Sequence, residues 1–354
     1  MKLKFWIGMG ISAFFLYLVF RNIDIAKVLE TLRSANYLYL AIALFLQLST
    51  IWLRAERWKY LLAPIKPLTI RQLVPPTMIG FMANNVLPAR AGEFIRAYLI
   101  GKKEQIDKTS SFATIVIERV CDTLTMLLFL ILVLIFFQFP QRAQGEAGSS
   151  AISAALFEKI GGVAAVMVLG VLIFLVLLKE FPDKTKAVVQ FVLKPLPASI
   201  SKKILDLVDS FCIGLQVLKT GWHLVFLIFW SLSLWLPAVV VAWLVLWSFD
   251  LRIPFIAAMF TTVLTAFSVA IPSSPGYVGP FHAAVSAVVL FFFPGLEKST
   301  AAGIAIIFHL VCILPMTLGG LYYLWRENMS FAEIQHLDKD EEQAEVEEGK
   351  PVDV

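Results

Sequence analysis

Long, continuous apolar stretches constrain this chain more than any other feature of its sequence. Ile160–Leu178 and Trp222–Trp247 contain no Asp, Glu, Lys or Arg. In lipid every backbone N–H and C=O must be satisfied within the protein, so spanning segments are helices or closed barrels. The apolar residues run continuously instead of alternating, which favours helices. The whole chain is 59% hydrophobic and 16% charged, and the sequence therefore predicts an all-α, polytopic membrane protein.

Six segments are predicted to span the bilayer, and two further apolar segments are broken. The broken segments are Leu73–Ile100 and Pro254–Phe293, interrupted at residues 84–93 and 271–280. Proline removes a helical hydrogen bond and glycine permits a sharp turn, so each is predicted to be a helix–turn–helix hairpin that returns to the side it entered from. If the arms of the hairpins cross the bilayer fully, the prediction becomes eight to ten helices. The six predicted spans are Phe5–Phe20, Tyr37–Leu53, Phe112–Phe139, Ile160–Leu178, Trp222–Trp247 and Ala301–Trp325.

Loop charges predict the orientation of these spans in a cell inner membrane. Residues 54–71 and 179–221 are rich in Lys and Arg, and three lysines follow the first broken segment. The positive-inside rule places these loops, and with them both chain termini, in the cytoplasm. The loop at residues 21–36 is assigned to the outside because alternation demands it, although it carries three cations. The net charge of +4 is thereby explained by membrane-facing loops, and no nucleic-acid partner is predicted.

The remaining segments complete one predicted domain, residues 1–330, with halves of about 1–139 and 160–325. The first apolar run meets Arg21 without a small-residue cleavage site and is interpreted as an uncleaved span. Ser199–Leu218 has an apolar face and a polar face, which predicts a helix on the cytoplasmic membrane surface or one docked against the protein. Residues 331–354 are acidic, and we expect this cytoplasmic tail to be disordered.

An inverted repeat is predicted from the order of these segments. Each half reads as two spans, a broken hairpin and a third span. The first half starts in the cytoplasm and the second starts outside, so the two hairpins enter from opposite sides. In transporters such paired, Pro/Gly-interrupted segments indicate a binding site near the bilayer midplane. The alternative is a coincidence within a helical membrane protein, because direct similarity between the halves is faint.

Ionisable residues at membrane depth form the principal candidate site. Insertion of each costs at least about 2.5 kcal/mol, so such residues are usually paired or functional. Two interpretations stay open: the charges only pair with one another, or some hold the site while an arginine meets a phosphate or carboxylate. Arg119 and Asp122 are three residues apart on one helix and are predicted to pair. The residues predicted to bind substrate are Arg90 and Arg96, with Asn84 and Asn85 at the first break and Gly276 and Gly279 at the second. The predicted charge network consists of Glu93, Glu118, Arg119 and Asp122.

The second hairpin offers a different chemistry. A helix that starts near Gly279 has free N–H groups able to receive an anion, and Gly276 lies in the same turn. His282 is able to titrate near neutrality, although a lone histidine is more often a structural hydrogen-bonding group. The histidines and the three cysteines form no metal-binding or disulfide pattern, so neither a metal nor a cofactor is predicted.

Three motifs resemble those of the lysylphosphatidylglycerol synthase transmembrane region family, also called the flippase-like domain family. They are NNVLPARAGEFIR at Asn84–Arg96, ERVCD at Glu118–Asp122 and PGYVG at Pro275–Gly279. The resemblance covers roughly residues 5–325. It implies the membrane half of the bacterial multiple peptide resistance factor, which is linked to moving aminoacylated phosphatidylglycerol across the bilayer. Many members stand alone, and their substrates are unassigned.

Two departures from the family pattern limit what the resemblance implies. Members often carry a glutamate shortly after the second-hairpin glycines, where this chain has His282. No aminoacyl-transferring domain follows Trp325, so lipid aminoacylation is not implied for the residues given. We therefore expect a non-enzymatic, flippase-like protein that handles an anionic-headgroup lipid. The alternatives are a non-transporting scaffold for a lipid-synthesis partner protein and a lipid-modifying enzyme, for which no catalytic constellation is found.

Overall fold

The computed structural model describes residues 2–21, 23–87, 91–137, 181–194, 221–271 and 274–330, and the single residues 170, 177, 201, 205 and 333. Within this part every secondary-structure element is a helix, which confirms the predicted all-α fold class. A short 3₁₀ turn, Pro275–Tyr277, separates α9 from α10. The helices are α1 (Lys2–Phe20), α2 (Ile25–Ser34), α3 (Tyr37–Leu62), α4 (Ile70–Val86), α5 (Gly92–Glu104), α6 (Lys108–Phe136), α7 (Pro182–Leu193), α8 (Gly221–Trp247), α9 (Phe255–Ala270), α10 (Pro280–Phe292) and α11 (Lys298–Arg326).

Five described helical segments are long and apolar enough to cross a membrane. A sixth span results if Met9–Phe20 and α2, which meet at 84°, count as one bent element. The predicted span Ile160–Leu178, the predicted amphipathic helix at Ser199–Leu218 and the tail at 331–354 lie outside the described residues, apart from five single positions. The five segments are Tyr37–Leu62, Lys108–Phe136, Val225–Trp247, Pro275–Phe292 and Lys298–Arg326.

Two assignments differ from the sequence prediction in a way that affects the site or the loops. The second span does not end at Leu53, because α3 continues to Leu62 and takes Arg54 and Arg57 into the helix. The segment at residues 21–36 is not only a loop, because it contains α2, capped by the Asp24 side chain that accepts a hydrogen bond from the Ala26 N–H. The physical reason in the first case is burial: Arg57 and Trp58 lie inside the helix bundle, where they have partners.

The two predicted hairpins are confirmed in their geometry. At the first, Gln72 at the start of α4 donates to Glu104 at the end of α5 over 2.8 Å, so the chain returns to the side it came from. At the second, the rings of Phe260 in α9 and Phe292 at the end of α10 lie 6.1 Å apart. The end of α4 packs against the Pro275–Tyr277 turn. The breaks of both hairpins therefore meet inside the bundle.

The loops group at two opposite faces of the bundle. At the first face Lys27 pairs with Glu297, and the Asn36 N–H donates to the Ser248 carbonyl over 2.7 Å. At the second face Lys66 donates to the Glu104 carbonyl over 2.6 Å, and Lys103 pairs with Glu327 over 2.8 Å. The segment at residues 21–36, which is predicted to lie outside, therefore shares the first face with the chain around Ser248 and Glu297. Hydrogen bonds from Ser110 lower the pKa of Asp107, which caps α6 at the second face.

The main packing pairs among eight helices have a regular order. If α3 is exchanged with α8, α4 with α9, α5 with α10 and α6 with α11, each pair of packed helices becomes a pair that is also packed. The pair α3–α8 maps onto itself, and α4–α11 maps onto α6–α9. Equivalent helices run in opposite directions, because the start of α3 and the end of α8 lie at the same face.

Close glycine contacts allow the arms of the first hairpin to pack together. A Cβ atom on Gly92 would collide with the Gly80 carbonyl oxygen, and one on Gly80 would lie 2.7 Å from the Gly92 carbonyl oxygen. The Gly92 N–H donates to the Asn84 side-chain oxygen over 2.9 Å, which satisfies a backbone group that the broken helix leaves free. The two glycines therefore set the separation of α4 and α5.

We expect Gly92→Ala to reduce the yield of folded protein, because the added methyl group meets backbone that cannot move independently. Overpacking of this kind costs about 1–3 kcal/mol or more. Gly10→Ala is the control, since nothing lies within 4 Å of a Cβ atom at that position. The measurement is the monodisperse fraction after detergent extraction. Equal monodisperse fractions for the two variants would contradict this packing.

Candidate functional site

Two carboxylates of α6, Glu118 and Asp122, form the centre of the site. They lie one helical turn apart and are almost completely buried. Arg57 of α3 joins them: its Nη1 atom donates to Asp122 Oδ1 over 2.7 Å, and its Nε atom lies 3.7 Å from Glu118 Oε1. Arg57 also donates to the hydroxyl of Ser231 in α8, at 3.4 Å. Three helices are therefore tied together at one buried cluster.

Arg96 connects the first hairpin to the same cluster. Its two terminal nitrogens donate to the two Glu118 oxygens over 2.5 and 3.3 Å, the planar arrangement that suits a carboxylate. Its guanidinium lies 3.7 Å from the centre of the Trp58 ring, within range of a cation–π interaction. The Trp58 N–H donates to the Thr114 hydroxyl over 2.9 Å. Arg96 is thus held from both sides.

Asp122 accepts from two further side chains. Arg119 Nη2 lies 2.8 Å from Asp122 Oδ2, and the Trp235 indole N–H donates to Oδ1 over 2.9 Å. The other terminal nitrogen of Arg119 lies 3.7 Å from Glu93 Oε1. Asp122 is therefore an acceptor shared by side chains of α3, α6 and α8. The contact between Arg119 and Glu93 is a second link between α6 and α5, after the pair of Arg96 and Glu118.

The structure confirms one predicted pair of site residues and leaves the predicted roles of two arginines untested. The predicted pairing of Arg119 with Asp122 is confirmed. Arg96 is paired with Glu118 through two of its five N–H donors. Its predicted role in headgroup binding stays a prediction. Arg90 lies outside the described residues. Sequence analysis missed Arg57, because its partners Asp122 and Ser231 lie 65 and 174 residues away and no local pattern marks such a pairing.

A small cavity opens beside this network. Its volume is about 10 Å³, room for one water molecule. Arg96 and Arg119 both line it, and their Nε atoms are buried without a hydrogen-bond partner in the part of the chain described. Two donors next to a cavity can bind water or an anionic ligand. The lining residues are Gly80, Phe81, Asn84, Gly92, Glu93, Arg96, Ile115 and Arg119.

The residues predicted to bind substrate at the two breaks contact other parts of the protein. Asn85 donates to the hydroxyl of Thr317 in α11 over 3.0 Å. Gly276 has a φ of 73°, and its carbonyl oxygen lies 2.6 Å from His309 Nε2. Gly279 has a φ of 102°, and a Cβ atom there would lie 2.7 Å from the Ser12 carbonyl oxygen. These contacts explain the residue types by packing and backbone shape, and a substrate contact at these positions stays a prediction.

His282 lies next to a second histidine that the sequence analysis did not single out. The His282 and His309 rings are 4.7 Å apart, and both lie close to the Pro275–Tyr277 turn. His282 is buried, and its Nδ1 atom has no hydrogen-bond partner among the residues described. The predicted proton-handling role of His282 stays a prediction, and His309 is the neighbour such a role would involve.

Removal of Asp122 should destabilise the protein more than removal of Arg119. Asp122→Ala leaves the buried Arg57 without its closest acceptor, and a broken buried pair costs about 3–5 kcal/mol. Arg119→Ala leaves Asp122 with its hydrogen bonds from Arg57 and Trp235, so this buried carboxylate keeps its closest partners. The measurement is the thermal unfolding midpoint in detergent. An equal or larger loss for Arg119→Ala would contradict Asp122 as the shared acceptor.

Comparison with known proteins agrees with the resemblance. The chain is 25% identical to a UPF0104 membrane protein of Methanocaldococcus jannaschii over 87% of this chain and 91% of the relative. A second UPF0104 membrane protein of that organism is 23% identical, over 70% of this chain and 95% of the relative. The glycosyltransferase AglD of Haloferax volcanii is 31% identical, over 34% of this chain but only 19% of the relative.

No solved structure matches the chain. Residues 5–320 match the family described as the lysylphosphatidylglycerol synthase TM region. That match includes all three motifs and every helix that contributes to the charge cluster. The chain belongs to the lysylphosphatidylglycerol synthase transmembrane region family.

Proposed function

We propose that this protein translocates a phospholipid, or another lipid with an anionic headgroup, across the membrane. One observation carries the proposal: helices long enough to span a bilayer enclose an arginine-rich cluster that opens on a cavity. Ionisable groups inside membrane proteins usually line substrate pathways, because their burial is otherwise costly. Planar guanidinium groups suit the phosphate of a lipid headgroup.

An inverted repeat supplies the mechanism that we propose. Helices α3–α6 pack among themselves and against α8–α11 in the same order as α8–α11 do in return, which supports two equivalent halves. Equivalent helices run in opposite directions, which supports an inversion of one half relative to the other. Both hairpin breaks meet at the interface between these halves. Rocking of one half against the other would expose the cluster to each side of the membrane in turn.

The proposed mechanism assigns a role to each predicted site residue. Arg90 and Arg96 contact the headgroup, with Asn84 and Asn85 at the same break. The second turn, with Gly276 and Gly279, closes the site from outside. His282 handles a proton if transport is coupled to one. The residues that orient the arginines and offset their charge are Glu93, Glu118, Arg119 and Asp122.

The proposed topology places the second face and both termini in the cytoplasm of a cell with an inner membrane. The second face carries Lys59, Lys66, Lys102 and Lys103, in agreement with the positive-inside rule.

Cysteines introduced at Gly148 and Glu297 should react with an impermeant thiol reagent added outside intact cells. Cysteines at Ser201 and Glu341 should react only after permeabilisation, and labelling of position 201 in intact cells would reverse the orientation.

A scaffold for a lipid-synthesis partner is the alternative from another class. The family name refers to a synthase, and one relative is named a glycosyltransferase. A scaffold needs the charge network for its fold alone, whereas a transporter needs it for turnover. A lipid-modifying enzyme would leave a changed lipid. Proteoliposomes that contain only the purified protein and a panel of labelled lipids distinguish the three by label movement and by lipid identity.

Transport should depend on the shape of the Arg90 side chain as well as on its charge. Arg90→Lys keeps the charge but loses the planar fork that binds phosphate at two points, so transport per folded molecule should fall clearly. Arg90→Ala should lower it further. The measurement is movement of labelled phosphatidylglycerol in proteoliposomes, normalised to monodisperse protein.

The control for Arg90→Lys is Arg252→Lys, an exposed arginine whose partner is Asp250 in the same loop. It should transport like the wild type. Unchanged normalised transport in both Arg90 variants would remove Arg90 from the site. A loss of folded yield with full activity per remaining molecule would assign Arg90 a structural role.

A further inference from the structure

Arg54 differs from the other arginines of the cluster. It lies on α3 one turn before Arg57, and it is half-buried. Its guanidinium lies 4.5 Å from the centre of the Phe81 ring of α4. No described carboxylate forms an ion pair with Arg54 within 4.0 Å, whereas Arg57, Arg96 and Arg119 each have one.

The described cluster therefore has an excess of one positive charge. Arg54, Arg57, Arg96 and Arg119 stand against Glu93, Glu118 and Asp122. The Asp122 oxygens already accept from Arg57, Arg119 and Trp235. Asp122 is thus occupied, and the charge of Arg54 is left without a close counterion from the described chain.

The position of Arg54 fits a binding role. It lies eight residues before the end of α3, about 12 Å along the helix axis. Phe81, over which its guanidinium stacks, also lines the cavity. The same cavity is lined by Arg96, which is 4% exposed and whose Nε atom has no described partner. Phe81 therefore lies between the Arg54 guanidinium, which it contacts, and the cavity, which it lines together with Arg96.

We propose that Arg54 binds a phosphate group beside this cavity, which itself has room for only one water molecule, and that the phosphate belongs to an anionic lipid headgroup. The cation–π contact with Phe81 holds the guanidinium. No described hydrogen bond or ion pair occupies its donors, which can bind phosphate oxygens at two points. An anion there neutralises the excess charge in a region where the dielectric constant is low. The proposal rests on the proposed function and adds Arg54 to the residues of the same site. Inorganic phosphate has the same chemistry and is the competing source.

Equilibrium binding to the purified, detergent-solubilised protein tests the proposal. The probes are short-chain phosphatidylglycerol, short-chain phosphatidylcholine and inorganic phosphate. The variants are Arg54→Lys and Arg54→Gln, with Arg252→Gln as the exposed control. Phosphatidylglycerol should bind more tightly than phosphatidylcholine, and Arg54→Gln should weaken it at least tenfold, about 1.4 kcal/mol. Arg54→Lys should lie between, and Arg252→Gln should bind like the wild type.

A stability measurement separates binding from a structural role. Because Arg54 has no described ion pair, Arg54→Gln should keep the unfolding midpoint of the wild type in lipid-free detergent. A lower midpoint with unchanged lipid affinity would make Arg54 structural and overturn the proposal. So would equal affinity for phosphatidylglycerol in wild type and Arg54→Gln, equal affinity for the two lipids, or the absence of binding by any probe. Arg54-dependent binding of inorganic phosphate alone supports the anion site and assigns it to the free ion.

Transport measured on the same preparations keeps this proposal distinct from the proposed function. If wild-type protein binds phosphatidylglycerol through Arg54 but moves no lipid, the site stands and transport is refuted. If Arg54→Gln transports phosphatidylglycerol like the wild type, transport stands and Arg54 is removed from the site.

Discussion

Buried ion pairs on two α6 carboxylates hold the centre of this protein together. Glu118 and Asp122 bind guanidinium groups from α3, α5 and α6. An unpaired charge in a membrane interior is costly, so each arginine favours the arrangement in which its carboxylate is near. The position of α5, and with it the first hairpin, depends on the bond between Arg96 and Glu118. The cavity beside the hairpin is therefore a product of the same pairs.

The broken helices follow from this constraint. Irregular backbone at membrane depth is tolerated only where protein or a wet cavity satisfies its polar groups. Here Asn84 accepts from the Gly92 N–H, and Gly80 lets the two arms approach closely enough for that bond. At the second break His309 contacts the Gly276 carbonyl oxygen. Each break is thus supported by side chains from its surroundings, and both lie where the proposed halves meet.

Much of the architecture could be predicted from sequence, and the site could be predicted in part. Continuous apolar runs and Pro/Gly interruptions identify the hairpins, and the spacing of Arg119 and Asp122 identifies their pair. Hydropathy could not reveal the extension of α3, because four charged residues end the apolar run and are typical of a loop. They are Arg54, Glu56, Arg57 and Lys59. Burial of Arg57 depends on partners 65 and 174 residues away, Asp122 and Ser231. Long-range pairing of this kind leaves no periodic signal in one sequence.

The excess charge at Arg54 connects the fold to the proposed lipid transport. An experimental structure in nanodiscs that contain phosphatidylglycerol tests this connection most directly. The account predicts a headgroup phosphate between Arg54 and the cavity, with Arg57, Arg96 and Arg119 still paired to Asp122 and Glu118. A structure in which Arg54 pairs with a carboxylate of the chain itself, and in which no lipid phosphate reaches the cavity, would contradict it.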